Sequence, residues 1–248
     1  MTVLALETAT SAVATALADE GRLLAAFEVG AGRRHAELLH VAVLATLEAA
    51  GIDFADLSAV AVDLGPGLFT GIRVGVAAAK GYAMALGLPV IGFTSLEILE
   101  LGCEAAGCGT AVGVVDLRRG EVAWSLPAEA GRTRVERHGP PADLVADLAA
   151  YLERLDRRQG GAPPVLAGDG AIRYRSLFIA ALGERIALAG AELSVPPVRS
   201  LALGAVSALA AGGGMEASAV RPVYLRDADV RIGWTTRHDA PGRQTGVA

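Results

Sequence analysis

Three acidic residues stand where apolar runs of the sequence end, each beside a turn. Glu7 follows "VLAL" (3–6), Asp116 closes "AVGVVD" (111–116), and Asp169 lies in "GDG". Carboxylates at strand ends near glycine turns are suited to holding magnesium on a phosphate group. They are equally suited to capping and to turns, so the residues alone leave both interpretations open.

The glycine-rich stretch "DLGPGLFTGIRVGVAAAKG" (63–81) is the second candidate for chemistry. It is not a P-loop, because Lys80 is followed by Gly81 and not by Ser or Thr. It is not a dinucleotide fingerprint either. Gly65, Gly67 and Gly71 are spaced GxGxxxG, and no acidic residue follows at the required distance. The pattern instead predicts a tight turn between a strand and a helix.

Two glycines fall inside that helix, for which Thr70 is predicted as the N-cap. Gly71 and Gly75 would each cost about 1 kcal/mol relative to alanine. The close approach of another helix or of a ligand would compensate for this cost. From spacing alone, a neighbour inside the fold and a neighbour in another subunit are equally consistent with the pattern.

The segment "HAELLH" (35–40) resembles a zinc motif only superficially. His35 and His40 are five residues apart, which separates them by about 140° around a helix. A metalloprotease helix needs HExxH, with the two histidines four apart, and Glu37 is also misplaced. No metal site is predicted here.

Hydrophobic periodicity organises the first hundred residues as βββαβαβα, with the three opening strands as an antiparallel meander. Gly51 and Gly87 are predicted to end the first two helices, and Ser95 is predicted as the N-cap of the third. Strands are predicted at 3–6, 12–18, 22–29, 58–63, 89–93, 111–116, 121–126, 132–138 and about 165, and helices at 37–50, 70–86, 95–101, 141–157, 172–183 and 200–211. Each half opens on an apolar run, an acidic residue, a four-residue turn and a second apolar run. We interpret this as an internal repeat that forms two lobes.

Composition narrows the class of protein. The net charge is −5 and Lys80 is the only lysine. Such a chain lacks the clustered cations that a general nucleic-acid surface needs. Cys103 and Cys108 are too few for a disulfide scaffold, so we expect reduced thiols. No leader sequence and no apolar run of membrane-spanning length is found, and we expect a cytoplasmic protein without a membrane association.

Several stretches, in order, resemble the bacterial TsaB (YeaZ) family. They are "LETATSAVATAL" (6–17), "RRHAELLH" (33–40), "GPGLFTGIRVG" (65–75), "VVDLRRGEV" (114–122), "GDGA" (168–171) and "RPVYLR" (221–226). The resemblance implies an α/β ASKHA fold, the duplicated two-lobe architecture of actin, Hsp70 and sugar kinases, with mixed sheets flanked by helices. The implied lobes are residues 1–102 and 103–226, followed by a polar tail at 227–248 that we expect to be flexible.

The same resemblance implies a function. TsaB-type proteins support synthesis of N6-threonylcarbamoyladenosine in tRNA as non-catalytic partners of the related subunit TsaD, and the ATPase TsaE joins the pair. The expected partners are therefore TsaD and TsaE, with a homodimer through the same surface when TsaD is absent, and tRNA only through the complex. No cofactor is expected for this chain itself, although ATP and magnesium could bind at the junction of the complex.

Two departures from related enzymes agree with a pseudo-enzyme. The histidines are HxxxxH where TsaD-type metal binding uses HxxxH, and Glu7 stands where the first ASKHA hairpin usually carries aspartate. The competing hypothesis is an ATP- and magnesium-dependent kinase or ATPase. Peptidase activity is not expected, because the sequence offers no ligand set for it.

The resemblance also implies which residues form the sites. The family's partner surface is its first two helices, which map to about 36–50 and 70–86 and place the small-residue helix at a subunit interface. The expected partner-binding residues are Leu38, Val41, Leu44, Ala45, Gly71, Val74, Gly75, Ala78, Ala79 and Tyr82. The expected vestigial nucleotide or junction site comprises Glu7, Thr8, Gly65, Gly67, Asp116 and Asp169.

Overall fold

A computed structural model of the chain describes residues 1–127, 134–157 and 162–225. These residues form two five-stranded mixed sheets, and each sheet has helices packed against it. The predicted polar tail at 227–248, part of the predicted strand at 132–138, and Arg226 of "RPVYLR" lie outside the described residues.

The first lobe contains one sheet in the order β3-β2-β1-β4-β5. Its elements are β1 (Thr2–Glu7), β2 (Ala12–Asp19), β3 (Arg22–Gly30), α1 (His35–Ala50), β4 (Leu57–Asp63), α2 (Phe69–Leu86), β5 (Val90–Phe93) and α3 (Ser95–Ala105). The three opening strands form the predicted antiparallel meander, and β1 also pairs in parallel with β4. As predicted, left-handed glycines end α1 and α2 at Gly51 and Gly87, since glycine adopts this conformation without steric cost.

The second lobe repeats this topology, with its sheet in the order β8-β7-β6-β9-β10. Its elements are β6 (Ala111–Arg118), β7 (Glu121–Leu126), β8 (Val135–Gly139), α4 (Pro141–Arg157), β9 (Val165–Ala167), α5 (Asp169–Arg173), α6 (Arg175–Leu182) and β10 (Ala187–Leu188). As in the first lobe, the opening strand pairs antiparallel with the second and parallel with the fourth. The predicted internal repeat is therefore confirmed at the level of strand order.

The first sheet is covered on both faces. One face packs against α1 and α2, with Leu4, Leu6 and Val62 in its core. The other face packs against α7 (Val198–Ala210), which comes from the end of the chain and buries Leu201 on the alanine-rich side of the sheet. Burial on two faces explains why β1 and β4 are nearly continuous apolar runs.

The end of the described chain returns to the first lobe. Met215 pairs with Val90 through both backbone hydrogen bonds, Val220 is fully buried in the first core, and the Val223 N–H donates to the Leu64 carbonyl. We call residues 215–225 the C-terminal strap. Together with α7, it lies on the first lobe, whereas the lobe limits expected from the sequence assigned residues 103–226 to the second. The expected limit at 102–103 also falls inside α3.

Some predicted helix ends differ from the observed ones. Thr70 is not the N-cap of α2, which begins at Phe69 after Leu68. Ser95 is the first residue of α3 and not its cap, because Thr94 accepts the Glu97 N–H while the Glu97 carboxylate accepts the Thr94 N–H. The predicted helix at 172–183 is two helices, α5 and α6, which meet at Tyr174.

Among the described residues, no helix combines the length and apolar character needed to cross a membrane. Both cysteines carry free thiols. Burial raises the pKa of the Cys103 thiol to about 12, so this sulfur is a packed apolar group at neutral pH.

Candidate functional site

The turn after β1 packs directly against the glycine side of α2. The Thr8 hydroxyl donates to the Gly71 carbonyl at 2.8 Å. A Cβ at Gly71 would lie 1.9 Å from the Thr8 carbonyl oxygen, and one at Gly75 would lie 2.3 Å from the Thr8 hydroxyl. Both distances are far below van der Waals contact, so only glycine fits at either position.

This packing corrects the interpretation of the two helix glycines. Gly71, Gly75 and Ala79 are buried inside the first lobe. The neighbour that requires Gly71 and Gly75 is the β1–β2 turn of the same chain and not a second subunit. The expected partner-binding role of these three residues is therefore wrong, while the cost argument that called for a close neighbour is correct.

The Gly65–Pro66–Gly67 turn is closed by the same hairpin. A Cβ at Gly67 would lie 2.2 Å from the Ala9 carbonyl oxygen, and this carbonyl accepts the Leu68 N–H at 2.7 Å. The Gly65 N–H donates to the Asp63 carboxylate at 2.7 Å. Because Ala9 and Asp63 occupy these positions, the turn does not offer the open cradle of amides that a phosphate requires.

Two carboxyl groups are buried together at the ends of the parallel strands β1 and β4. Glu7 accepts the Ala9 N–H at 2.8 Å and the Thr10 hydroxyl at 3.1 Å. Asp63 accepts the Gly65 N–H and, through both oxygens, the Ser95 hydroxyl. Glu7 was expected from the sequence. Asp63 was not singled out, although it ends the predicted strand at 58–63 and precedes a glycine turn, which is the pattern that pointed to Glu7.

Burial controls the protonation of this pair. Desolvation raises the pKa of Glu7 well above its ordinary range, and the Asp63 charge raises it further. Desolvation also raises the pKa of Asp63 to about 7, against the lowering effect of its hydrogen bonds. We call Glu7 and Asp63 the first-lobe carboxyl pair.

At the equivalent turn of the second lobe, the buried acidic residue is paired with arginines. Asp116 is buried, and its Oδ2 accepts hydrogen bonds from Arg118 and Arg173, each at 2.9 Å. Its Oδ1 accepts the Arg118 N–H, while Asp169 accepts the Asp116 N–H at 2.8 Å. Burial raises the pKa of Asp169, and the Asp116 carboxylate raises that of the exposed Arg173. We call these four residues the second-lobe arginine cluster.

These carboxylates do not fit a magnesium–nucleotide group as they are arranged. The oxygens of Glu7 are engaged by the adjoining hairpin. Oδ1 of Asp116 accepts the Arg118 N–H, and its Oδ2 accepts two guanidinium groups, which repel a cation. In the described ranges, no three His, Cys, Asp or Glu side chains are grouped to hold a metal ion. Magnesium would have to displace these internal partners before it could bind.

The two histidines do not converge. His35 is buried, and its Nε2 donates to the Thr10 carbonyl at 2.9 Å, which ties the start of α1 to the first hairpin. His40 is exposed and bonds through Nδ1 to the Tyr82 hydroxyl at 2.7 Å on α2. The geometry agrees with the angular argument from the sequence, and each histidine has a structural contact.

The exposed side of α1 and α2 carries several large apolar residues. Val41 and Leu44 on α1 are 58% and 46% exposed, and Met84 on α2 is 71% exposed. The same two helices also carry Leu38, Ala45, Val74, Ala78 and Tyr82, all partly buried. We call the outer surface of these two helices the α1–α2 face. Met84 was not among the partner-binding residues expected from the sequence.

The fold and this site define the class of protein. Two lobes of identical strand order, each opened by a three-stranded meander, form an ASKHA-type protein. Component A of (R)-2-hydroxyglutaryl-CoA dehydratase from Acidaminococcus fermentans has a similar fold, with a TM-score of 0.52 at 12% identity over 85% of this chain and 99% of that one.

More specific similarity comes from three further comparisons. The family model "TsaD: tRNA N6-adenosine threonylcarbamoyltransferase" matches residues 29–234. The tRNA threonylcarbamoyladenosine biosynthesis protein TsaB of Escherichia coli is 30% identical over 92% of this chain and 95% of its own length. YeaZ from Pseudomonas aeruginosa superposes with a TM-score of 0.70 at 29% identity, covering 90% of this chain and 99% of that one. The chain belongs to the TsaB (YeaZ) family.

Proposed function

We propose that this chain is a non-catalytic subunit in the synthesis of N6-threonylcarbamoyladenosine in tRNA, where it binds and supports the transferase TsaD. Membership of the TsaB family supports the pathway, since the E. coli relative is named for it. The match to a TsaD-type family model supports a structural kinship between this chain and the expected partner.

The observation that carries the non-catalytic role is the internal engagement of the buried carboxylates Glu7 and Asp116. Thr10 and the Ala9 N–H hold Glu7, and Arg118 and Arg173 hold Asp116. The glycine turn is filled by the Ala9 carbonyl. A magnesium–phosphate site would need free carboxylate oxygens and an open turn of backbone amides, whereas here internal contacts occupy the same positions.

The α1–α2 face supports the partner role. Exposed apolar side chains gathered on one surface are costly in water and mark interaction sites. We propose that TsaD packs on this face through its own related helices, that TsaE joins the pair, and that two copies of this chain pair through the same face when TsaD is absent. Contact with tRNA is then made through the complex, which agrees with the net charge of −5.

We also propose that the chain requires no cofactor of its own, and that any ATP and magnesium bound by the assembly lies at the TsaD junction. The alternative is an ATP-dependent enzyme, favoured by the carboxylates at the strand ends of both lobes. Calorimetry of the isolated chain with ATP and magnesium separates the two. The scaffold role predicts no micromolar binding, whereas such binding with turnover would establish the enzyme.

The proposed function is tested by reconstitution. Purified TsaC, TsaD and TsaE are incubated with tRNA, threonine, bicarbonate and ATP, with and without this chain, and modified adenosine is measured by mass spectrometry. We expect modification to depend on this chain. Equal modification in its absence, with the chain shown to be folded, would overturn the proposal.

A further inference from the structure

Arg73 is held in an unusual clamp on the exposed side of α2. Its guanidinium carbon lies 3.7 Å from the centroid of the Phe69 ring, one helical turn earlier. Its Nε donates to the Tyr224 hydroxyl at 2.8 Å. The two rings pack against each other with centroids 5.3 Å apart, so the guanidinium is fixed by both.

The clamp joins parts of the chain that are 151 residues apart. Tyr224 belongs to the C-terminal strap, which the bond from the Val223 N–H to the Leu64 carbonyl holds against the first lobe. Phe69 and Tyr224 nevertheless remain 41% and 42% exposed. The clamp therefore orients the guanidinium at the surface and does not bury it.

The clamp leaves the ion-pairing end of Arg73 unused. Within residues 1–127, 134–157 and 162–225, no carboxylate lies within ion-pair distance of it, and its bond to Tyr224 uses only Nε. Its two terminal nitrogens form a planar fork that matches a carboxylate. An arginine whose rotamer is already fixed loses less entropy when it binds.

The positive charge of α2 indicates that its ligand is negatively charged. α2 contains Arg73 and Lys80 and no acidic residue, although the whole chain is acidic. The same helix contributes the apolar Met84 to the α1–α2 face. Met84 lies about three helical turns beyond Arg73, and the apolar groups in contact with the guanidinium are the Phe69 and Tyr224 rings. A fixed guanidinium between two half-exposed aromatic rings has the composition of a protein-binding hot spot, which is enriched in Arg and aromatic residues. RNA binding would instead need several clustered cations.

We propose that Arg73, fixed by Phe69 and Tyr224, is a preorganised receptor for an aspartate or glutamate side chain of the transferase partner that docks on the α1–α2 face. This inference rests on the proposed function, because it names the contact that orients that partner. It also gives the C-terminal strap a role, since the strap supplies Tyr224 and so determines the direction of the guanidinium.

The test measures the dissociation constant between this chain and purified TsaD at low and high salt. We expect Arg73→Gln to weaken binding by about tenfold or more, and Arg73→Lys to recover little, because lysine lacks the fork. Tyr224→Phe removes the orienting bond and should weaken binding about threefold. Arg199→Gln is the matched control, since it removes one exposed cation from α7 on the opposite face of the sheet.

The outcomes separate this inference from the proposed function. The receptor is supported if Arg73→Gln lowers the affinity for TsaD and its salt dependence, while Arg199→Gln binds TsaD as the wild-type chain does. Wild-type binding that is unchanged in Arg73→Gln overturns the receptor and leaves the partner role intact. The receptor would also be overturned if the wild-type chain bound tRNA more tightly than TsaD and Arg73→Gln removed the tRNA binding. Failure of the wild-type chain to bind TsaD would remove the proposed function and the inference with it.

Discussion

The two lobes share one topology but neutralise their strand-end acids in opposite ways. In the first lobe, Glu7 and Asp63 are buried side by side without a cation, and burial raises both pKa values. In the second, Asp116 is buried under two half-exposed arginines. A duplicated fold can thus keep a buried acidic position either beside a second carboxyl group, where burial raises the pKa, or paired with guanidinium groups.

The lobes also differ in what fills the turn beside the acid. In the first lobe, the glycines of α2 let the Thr8 and Ala9 backbone pack directly on the helix. In the second lobe, α5 is only five residues long and Asp169 bonds to the backbone of Asp116. Both turns are closely packed, since a Cβ at Gly168 would lie 2.2 Å from the Val114 carbonyl oxygen, but the second turn also carries a polar cluster whose two arginines are half exposed.

The largest effect should come from placing a side chain at Gly71, where α2 packs on the Thr8 backbone. Gly71→Ala would place a Cβ 1.9 Å from the Thr8 carbonyl oxygen, and backbone cannot move away cheaply. We expect a loss of about 3 kcal/mol or more in the free energy of unfolding, measured by urea denaturation. Gly81→Ala is the control on the same helix, where nothing lies within 4 Å, and it should stabilise by up to about 1 kcal/mol. Equal unfolding free energies for the two variants would contradict the internal packing of Gly71.

The next effect is a dependence of stability on pH that originates in the first lobe. The folded pKa of Asp63 is about 7 against an ordinary value of 3.8, so the folded state holds a proton that the unfolded state releases. Stability is therefore complete below the ordinary pKa and is lost as pH rises through about 7. Between mildly acidic and mildly alkaline pH we expect a loss of about 2 kcal/mol, seen in denaturation curves.

Asp63→Asn provides the comparison for this pH effect. The amide keeps an oxygen that can accept from the Gly65 N–H and the Ser95 hydroxyl, but it does not titrate. We expect the loss of stability with rising pH to become clearly smaller in this variant. A pH profile identical to that of the wild-type protein would show that the first-lobe carboxyl pair is not its source.

A smaller effect should follow from breaking the second-lobe arginine cluster. Asp116→Asn leaves Arg118 and Arg173 without their shared carboxylate, but both guanidiniums are about half exposed and can be hydrated. We expect a loss of about 1 kcal/mol, measured by thermal or urea unfolding. A loss as large as that of Gly71→Ala would mean that Asp116 contributes far more to stability than ion pairs with two half-exposed arginines should.

Much of the fold can be predicted from the sequence, because these elements depend on local patterns of residues. The apolar runs that predict β1, β2 and β4, and the glycines that end α1 and α2, act over a few residues. The repeat of the opening hairpin likewise predicts the shared strand order of the lobes. The N-cap of α3 was predicted at Ser95, one residue after the observed cap, Thr94.

The errors concern contacts between distant parts of the chain. Gly71 and Gly75 require a close neighbour, but nothing in their spacing reveals that Thr8, 63 residues away, provides it. The return of α7 and the C-terminal strap to the first lobe has no local signal either. The clamp on Arg73 depends on that return, so the sequence could not single out this residue.

The measurement that tests the central claim most directly compares one substitution on each lobe. Leu44→Arg places a charge on the exposed α1–α2 face, and Leu177→Arg places the same charge on α6, where Leu177 is 42% exposed. Because both side chains are exposed, unfolding free energies should change by no more than about 0.5 kcal/mol. Binding to TsaD is then measured for each variant by calorimetry. The account predicts that Leu44→Arg abolishes binding and Leu177→Arg preserves it, whereas unchanged binding by a folded Leu44→Arg variant would contradict it.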